Sequence, residues 1–166
     1  MRKMLAAMLV PAAFSASISP AHAGHEPFRP AVVALGVGLG DPTALDLKLW
    51  VTPSSGFDFG VGFSRWSDRL GVYGEFEFGL VDFWIGNDVM GVFYIGVGGA
   101  LGLNGNAVGF KDHHHDGVSL ALVIPIGLNF RFRAPLEIFV EARPGFEILD
   151  PGGFGVGGQV GIRYIF

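Results

Sequence analysis

The feature that most constrains this chain is an alternation of apolar residues with polar residues or glycine, repeated in run after run from Ala31 to Phe166. Successive side chains of a strand point to opposite faces, so a period of two marks strands with two unlike faces. Eight runs can be read between turn-forming clusters. Each is near the roughly 9–11 residues that a tilted strand needs to cross a bilayer.

The first run carries Val33, Leu35, Val37 and Leu39 on one face, and Gly40-Asp41-Pro42 ends it. Leu45, Leu47, Leu49 and Val51 follow against Asp46, Lys48 and Trp50, up to a turn at Thr52–Gly56. Phe57, Phe59, Val61 and Phe63 oppose Asp58 and two glycines, and Ser67-Asp68-Arg69 leads to Leu70, Val72, Phe76, Phe78 and Leu80 against Tyr73, Glu75 and Glu77. After Gly86-Asn87-Asp88 the fifth run sets Phe93, Ile95, Val97 and Leu101 against Tyr94 and three glycines. The longest connection, Asn104–Gly117, precedes a sixth run from Leu120 to Phe132. A turn at Ala134–Pro135 opens the seventh, where Leu136, Ile138, Val140 and Ala142 alternate with Glu137, Phe139, Glu141 and Arg143. Asp150-Pro151-Gly152 leads to the last run, which ends on Phe166. Pro125 and Pro144 fall inside runs six and seven, where a missing N–H predicts bulges.

Across these runs the apolar face carries no charge in its middle. One Lys or Arg at a bilayer midplane costs about 2–4 kcal/mol, so a charge-free face suits contact with lipid. The competing architecture is a soluble eight-stranded barrel of the lipocalin kind, apolar inside and polar outside. Its outer face would carry Lys, Glu, Thr and Ser, whereas the second face here is rich in glycine, which suits a crowded interior.

The start of the chain fits export. Arg2 and Lys3 precede an apolar run from Met4 to Phe14, and Ala21-His22-Ala23 has the small-x-small pattern of a cleavage site. A spanning helix needs roughly 20 apolar residues, so a retained short anchor is the weaker alternative. Residues 1–23 are thus expected to be a cleaved signal peptide and residues 24–166 one barrel domain. Without Arg2 and Lys3, nine basic side chains stand against fifteen acidic ones, a net charge of −6. That balance argues against a nucleic-acid partner, which needs a basic patch. The chain has no cysteine, hence no disulfide framework, thiolate metal site or lipid-modified cysteine. Half of its residues are hydrophobic, yet the mature part has no run long enough for a membrane helix. The bilayer admits only helices and closed barrels. The expected fold is therefore all-β, an eight-stranded antiparallel up-and-down transmembrane β-barrel.

In such a barrel the second face lines a lumen just wide enough for side chains. Asp46, Asp58, Glu75, Glu77, Glu137, Glu141 and Glu147 share it with Lys48, Arg131, Arg133, Arg143 and Arg163. A symmetric hairpin through Arg133-Ala134-Pro135 sets Arg131 opposite Glu137, with Arg163 reaching Glu137 or Glu141 diagonally. Asp46, Lys48, Asp58, Glu75, Glu77, Arg131, Glu137, Glu141, Arg143 and Arg163 are accordingly expected to form an interior charge network that packs the barrel, with an ion or proton path as the alternative. His113, His114 and His115, flanked by Asp112 and Asp116, are candidate ligands for Zn²⁺, Cu²⁺ or Ni²⁺, although consecutive loop residues more often form a solvated loop. The only other mature histidine is His25 and hydroxyls are scarce on the strands, so no Ser–His–acid set assembles and no enzyme is expected. Gly36-x-Gly38-x-Gly40 and Gly96-x-Gly98 imitate pieces of dinucleotide motifs, but their period of two fits interior packing. No cofactor is implied.

The export signal, the alternating strands and the closing Gly161-Ile162-Arg163-Tyr164-Ile165-Phe166 resemble small bacterial outer-membrane β-barrel proteins of the OmpA-transmembrane or OmpX type. Gly36–Thr43, Pro135–Glu141 and Gly161–Tyr164 look more specifically like an uncharacterised family of such barrels. The resemblance implies a place in the outer membrane and contact with its lipid. It also implies that Phe166 is the signal read by the outer-membrane assembly machinery. Unlike full OmpA proteins, the chain is expected to carry no peptidoglycan-binding domain after Phe166. With both termini periplasmic, Phe57, Phe130, Phe132, Tyr164 and Phe166 would ring the inner edge, and Phe63, Phe146 and Phe154 the outer one. Fold analogy does not choose an activity. The leading expectation is a structural protein or one that makes surface contacts, including with an extracellular ligand, through its outer loops. A narrow conduit for a small solute or ion comes next, and a lipid-modifying enzyme third.

Overall fold

A computed structural model of the chain describes residues 33–64, 69–103, 118–149 and 153–166. Among them are nine strands: β1 (Val33–Asp41), β2 (Thr43–Trp50), β3 (Gly56–Ser64), β4 (Arg69–Ile85), β5 (Val89–Leu103), β6 (Val118–Val123), β7 (Ile126–Phe132), β8 (Leu136–Glu147) and β9 (Phe154–Ile165). All pairings are antiparallel and run between neighbours from β1 to β9, and β9 returns to pair with β1. The sheet therefore closes. β6 and β7 share one place between β5 and β8, so the ring has eight positions. No helix among the described residues is long and apolar enough to cross a membrane, which says nothing of crossing by strands.

Pro125 is what divides β6 from β7, but the bulges expected at the prolines are absent. On the β8 side, Val123 pairs with Gly145 and Ile126 with Ala142, the same register on both sides of the break. On the β5 side, Gly98 pairs with Val123 and Ile95 with Ile126, again without a shift. Each proline loses only its own donor. The ladder is held there by the Gly96 N–H donating to the Pro125 carbonyl (2.7 Å) and the Ile124 N–H donating to that of Pro144 (2.9 Å). Gly96 makes this possible, because a Cβ on it would sit 2.7 Å from the Pro125 ring. The register shift lies elsewhere, between Gly79 and Val81 of β4. Leu80 and Val81 both turn outward there, each 56% exposed.

The alternation sorts side chains cleanly. Outward stand Leu35, Leu45, Val61, Val72, Val97, Val140 and Ile162, all substantially exposed, whereas Asp46, Tyr73, Glu141 and Arg163, each one residue from one of them, are buried. At one end of the ring lie Val33, the turn Val51–Ser55, the turn Gly86–Asp88, residues 133–135 and Phe166. Gly86 has φ +61°, a left-handed turn position that suits glycine. Residues 1–32, 65–68, 104–117 and 150–152 lie outside the described residues. Phe57, Tyr164 and Phe166 are exposed towards the first end, and Phe63, Phe146 and Phe154 towards the second.

Candidate functional site

Chemistry in this molecule is concentrated inside the ring. Asp46, Lys48, Asp58, Glu75, Glu77, Arg131, Glu137, Glu141, Arg143 and Arg163 are each at most 5% exposed. Four strands from different parts of the chain bring the centre together. Arg163 of β9 pairs across the sheet with Gly36 of β1, and Gly36 with Asp46 of β2. A Cβ on Gly36 would lie 2.7 Å from the Arg163 side chain, so the glycine lets the guanidinium cross β1 and reach Asp46. From there Arg163 also bonds Asp58, and it donates to Glu137 Oε1 at 2.7 Å. One cation thus serves three carboxylates.

The other cations arrange themselves around it. Arg131 stands directly opposite Glu137 and donates to it at 3.3 Å, while its Nη1 donates to the Pro53 carbonyl at 2.7 Å. That last bond ties the Val51–Ser55 turn to the interior. Arg143 bridges Glu75 at 2.9 Å and Glu141 at 2.5 Å, and Lys48 pairs with Glu77. Burial of such groups is tolerable only where charges are paired and hydrogen-bonded.

Aromatic side chains fill the space between the charges, a role the alternation places but does not announce. Arg131 lies 3.4 Å over Trp50, Arg143 3.8 Å over Tyr73 and Arg163 3.7 Å over Phe139. Tyr73 Oη donates to Asp46 and Tyr94 Oη to Glu141, both at 2.8 Å. Each of the three larger inward rings on mid-strand lies over a glycine directly across the ladder: Tyr73 over Gly60, Tyr94 over Gly127, Phe139 over Gly161. A Cβ at Gly60 or Gly161 would sit 2.1–2.2 Å from the facing ring. The glycine–aromatic pairing is therefore the signal in the sequence that could have found these residues.

Two residues expected inside are placed differently. Arg133 is 58% exposed in the 133–135 turn and pairs with Asp88 at 3.2 Å, because the hairpin closes one residue beyond the interior. Glu147 is only half-buried, near the far end of β8. His113, His114 and His115 fall in 104–117, outside the described residues. Phe166, the expected assembly signal, is 72% exposed, with its N–H donating to the Val33 carbonyl at 3.0 Å. A depression of about 730 Å³ lined by Leu35, Leu45, Phe59, Val61, Val72 and Leu101, with Asp46 and Tyr73 beside them, is almost wholly apolar.

One trio within the interior was not singled out by sequence. Asp58, Glu75 and Glu77 each bring a carboxylate oxygen within 4.8 Å of the other two. Asp58 and Glu75 stand directly opposite each other on β3 and β4, and Glu77 follows two residues on, on the same face.

Comparison with known families, with curated proteins and with solved structures finds no match. The class that fold and site define is a closed eight-position antiparallel ring whose interior packs paired acidic and basic side chains with aromatic rings and whose exterior is apolar.

Proposed function

We propose that this chain is an integral outer-membrane β-barrel, exported through residues 1–23, with an interior packed shut. Its role is structural, or lies in surface contacts made through the connections 65–68, 104–117 and 150–152. Lipid and the outer-membrane assembly machinery are its partners, the latter through Phe166. It is not an enzyme.

The observation that carries this reading is the inversion of the two faces. Ten ionisable side chains are buried, and among the described residues the only exposed Asp, Glu, Lys or Arg within a strand, away from its end residues, is Asp82, near the Ile85 end of β4 and opposite the buried Val92. A soluble protein rarely exposes a contiguous apolar patch beyond a few hundred Å², and this face encircles the molecule. Lipid removes that difficulty, and the aromatic side chains near both ends fit the headgroup level. The packed reading rests on Lys48, Glu77, Phe139 and Arg163, each 0–1% exposed across the middle of the lumen.

Membrane fractionation combined with gel mobility before and after boiling tests the placement. The protein should appear in the outer-membrane fraction and shift its band on heating. A soluble product with no heat-dependent shift would sink the proposal. Protease added to intact cells should cut within 104–117, and protection until the cells are permeabilised would reverse the orientation. Planar-bilayer recordings should give no reproducible conductance; discrete, repeatable steps would favour the conduit instead.

A further inference from the structure

We propose that Asp58, Glu75 and Glu77 bind one divalent cation of the hard, oxygen-seeking kind, with Ca²⁺ the best fit. Four observations meet at this trio. The three carboxylates are 0–3% exposed and bring oxygens within 4.8 Å of one another. Oxygens that close can share one ion, and carboxylates joined by an amide oxygen are the all-protein oxygen set that Ca²⁺ takes, whereas Mg²⁺ usually keeps several waters.

Each carboxylate also keeps one buried oxygen with no hydrogen-bond partner: Oδ1 of Asp58, Oε2 of Glu75 and Oε1 of Glu77. Their other oxygens are already committed to Arg163, Arg143 and Lys48 respectively. A neutral fourth donor stands beside them. Asn129 is fully buried, its Nδ2 donates to Glu77 at 3.4 Å, and its Oδ1 has no partner. A buried amide oxygen left unpaired is costly, and next to carboxylates it is the ligand type that Ca²⁺ sites use.

Charge supplies the fourth observation. Among the described residues the buried carboxylates are Asp46, Asp58, Glu75, Glu77, Glu137 and Glu141, and the buried cations are Lys48, Arg131, Arg143 and Arg163. With every one of them ionised, six less four leaves two negative charges, the amount one divalent ion neutralises. Arg163, shared among three acids, has nothing further to give the trio.

Calorimetric titration of CaCl₂ into the purified, chelator-treated protein in detergent micelles tests this. The expected result is a saturable heat at one ion per chain and a higher temperature for the heat-dependent gel shift. Tb³⁺ as the probe should show emission sensitised by the nearby aromatic side chains. Glu75→Gln should abolish both signals while keeping the folded band, since Arg143 retains Glu141. Asn129→Ala, which changes no charge, should weaken Ca²⁺ about tenfold, and it serves as the test if the Glu75 variant does not fold. His113, His114 and His115 replaced together by alanine should change nothing. A folded protein with no saturable heat, or one whose Ca²⁺ response survives Glu75→Gln and Asn129→Ala, would overturn the site and leave the two charges to be balanced by protons on the carboxyl groups.

Discussion

The two faces of one sheet obey opposite rules, although their residues alternate along the same strands. Val140 and Ile162 stand out from the ring, half exposed and held by little beyond their immediate neighbours, while Glu141 and Arg163, one residue on, are buried in ion pairs. The outer face is specified by its surroundings. Any apolar shape suits it, and any charge does not. The inner face is specified by partners, because each buried ion is tolerable only through the particular groups that meet it. An error outside is thus a solvation error, and an error inside is a pairing error that spreads across strands.

The sharpest way to break this contrast is at Arg163. Arg163→Met would strand Asp46 and Asp58 of β2 and β3 and take from Glu137 of β8 one of its two cations. Breaking a single buried pair costs about 3–5 kcal/mol, so this variant should lose at least that much or fail to close. Urea unfolding in micelles, read by the heat-dependent band, measures it; a loss under 1 kcal/mol would mean that the pairs are dispensable. The matching outer-face test is Val140→Arg. In lipid it should cost about 2–4 kcal/mol, and Phe154→Arg near the end of the ring about 0–1 kcal/mol. Equal, small effects at the two positions would mean that the outer face meets water, and the proposed membrane placement would fall with it.

A smaller effect separates crowding from charge on the inner face. Gly161→Ala drives a Cβ into the Phe139 ring, on which Arg163 rests. Overpacking of this kind costs about 1–3 kcal/mol. Combining it with Phe139→Leu should recover part of the loss, and purely additive effects in the double-mutant cycle would show that ring and glycine are not coupled.

How much of this was legible in sequence follows from the same division. Face, strand and end were readable at nearly every described position, because the period of two is local and each side chain inherits its face from its neighbours. Register was readable where a tight turn set it, as with Arg131 opposite Glu137. It was misjudged where a rule about single residues was applied to a ladder. Pro125 and Pro144 looked like sites of bulges, yet strands paired on both flanks hold the register across them. The observed shift at Leu80 carries no comparable mark. The pair of Arg163 with Glu137 was legible, but the further contacts of Arg163 to Asp46 and Asp58 were not, since they depend on how the ring closes and on which glycines a long side chain can cross. For the same reason Asp58, Glu75 and Glu77 read in sequence as ordinary members of a charged face.

The least effect is expected where an ion pair of the same chemistry lies outside the ring. Arg133 and Asp88 meet at 3.2 Å, a geometry as good as that of Arg131 with Glu137 at 3.3 Å, but their side chains are 58% and 72% exposed. Water already solvates both ions, and salt screens what attraction remains, so the pair is worth about 0–1 kcal/mol. The backbone bond from the Arg133 N–H to the Asp88 carbonyl, at 3.1 Å, holds the two turns together without it. Arg133→Ala should therefore leave urea unfolding almost unchanged, while Arg131→Ala, which frees Glu137 from one of its two cations, should cost several times more. If the two arginines proved equivalent, burial would not be what gives the inner charges their weight, and the contrast between the faces would reduce to one of shape.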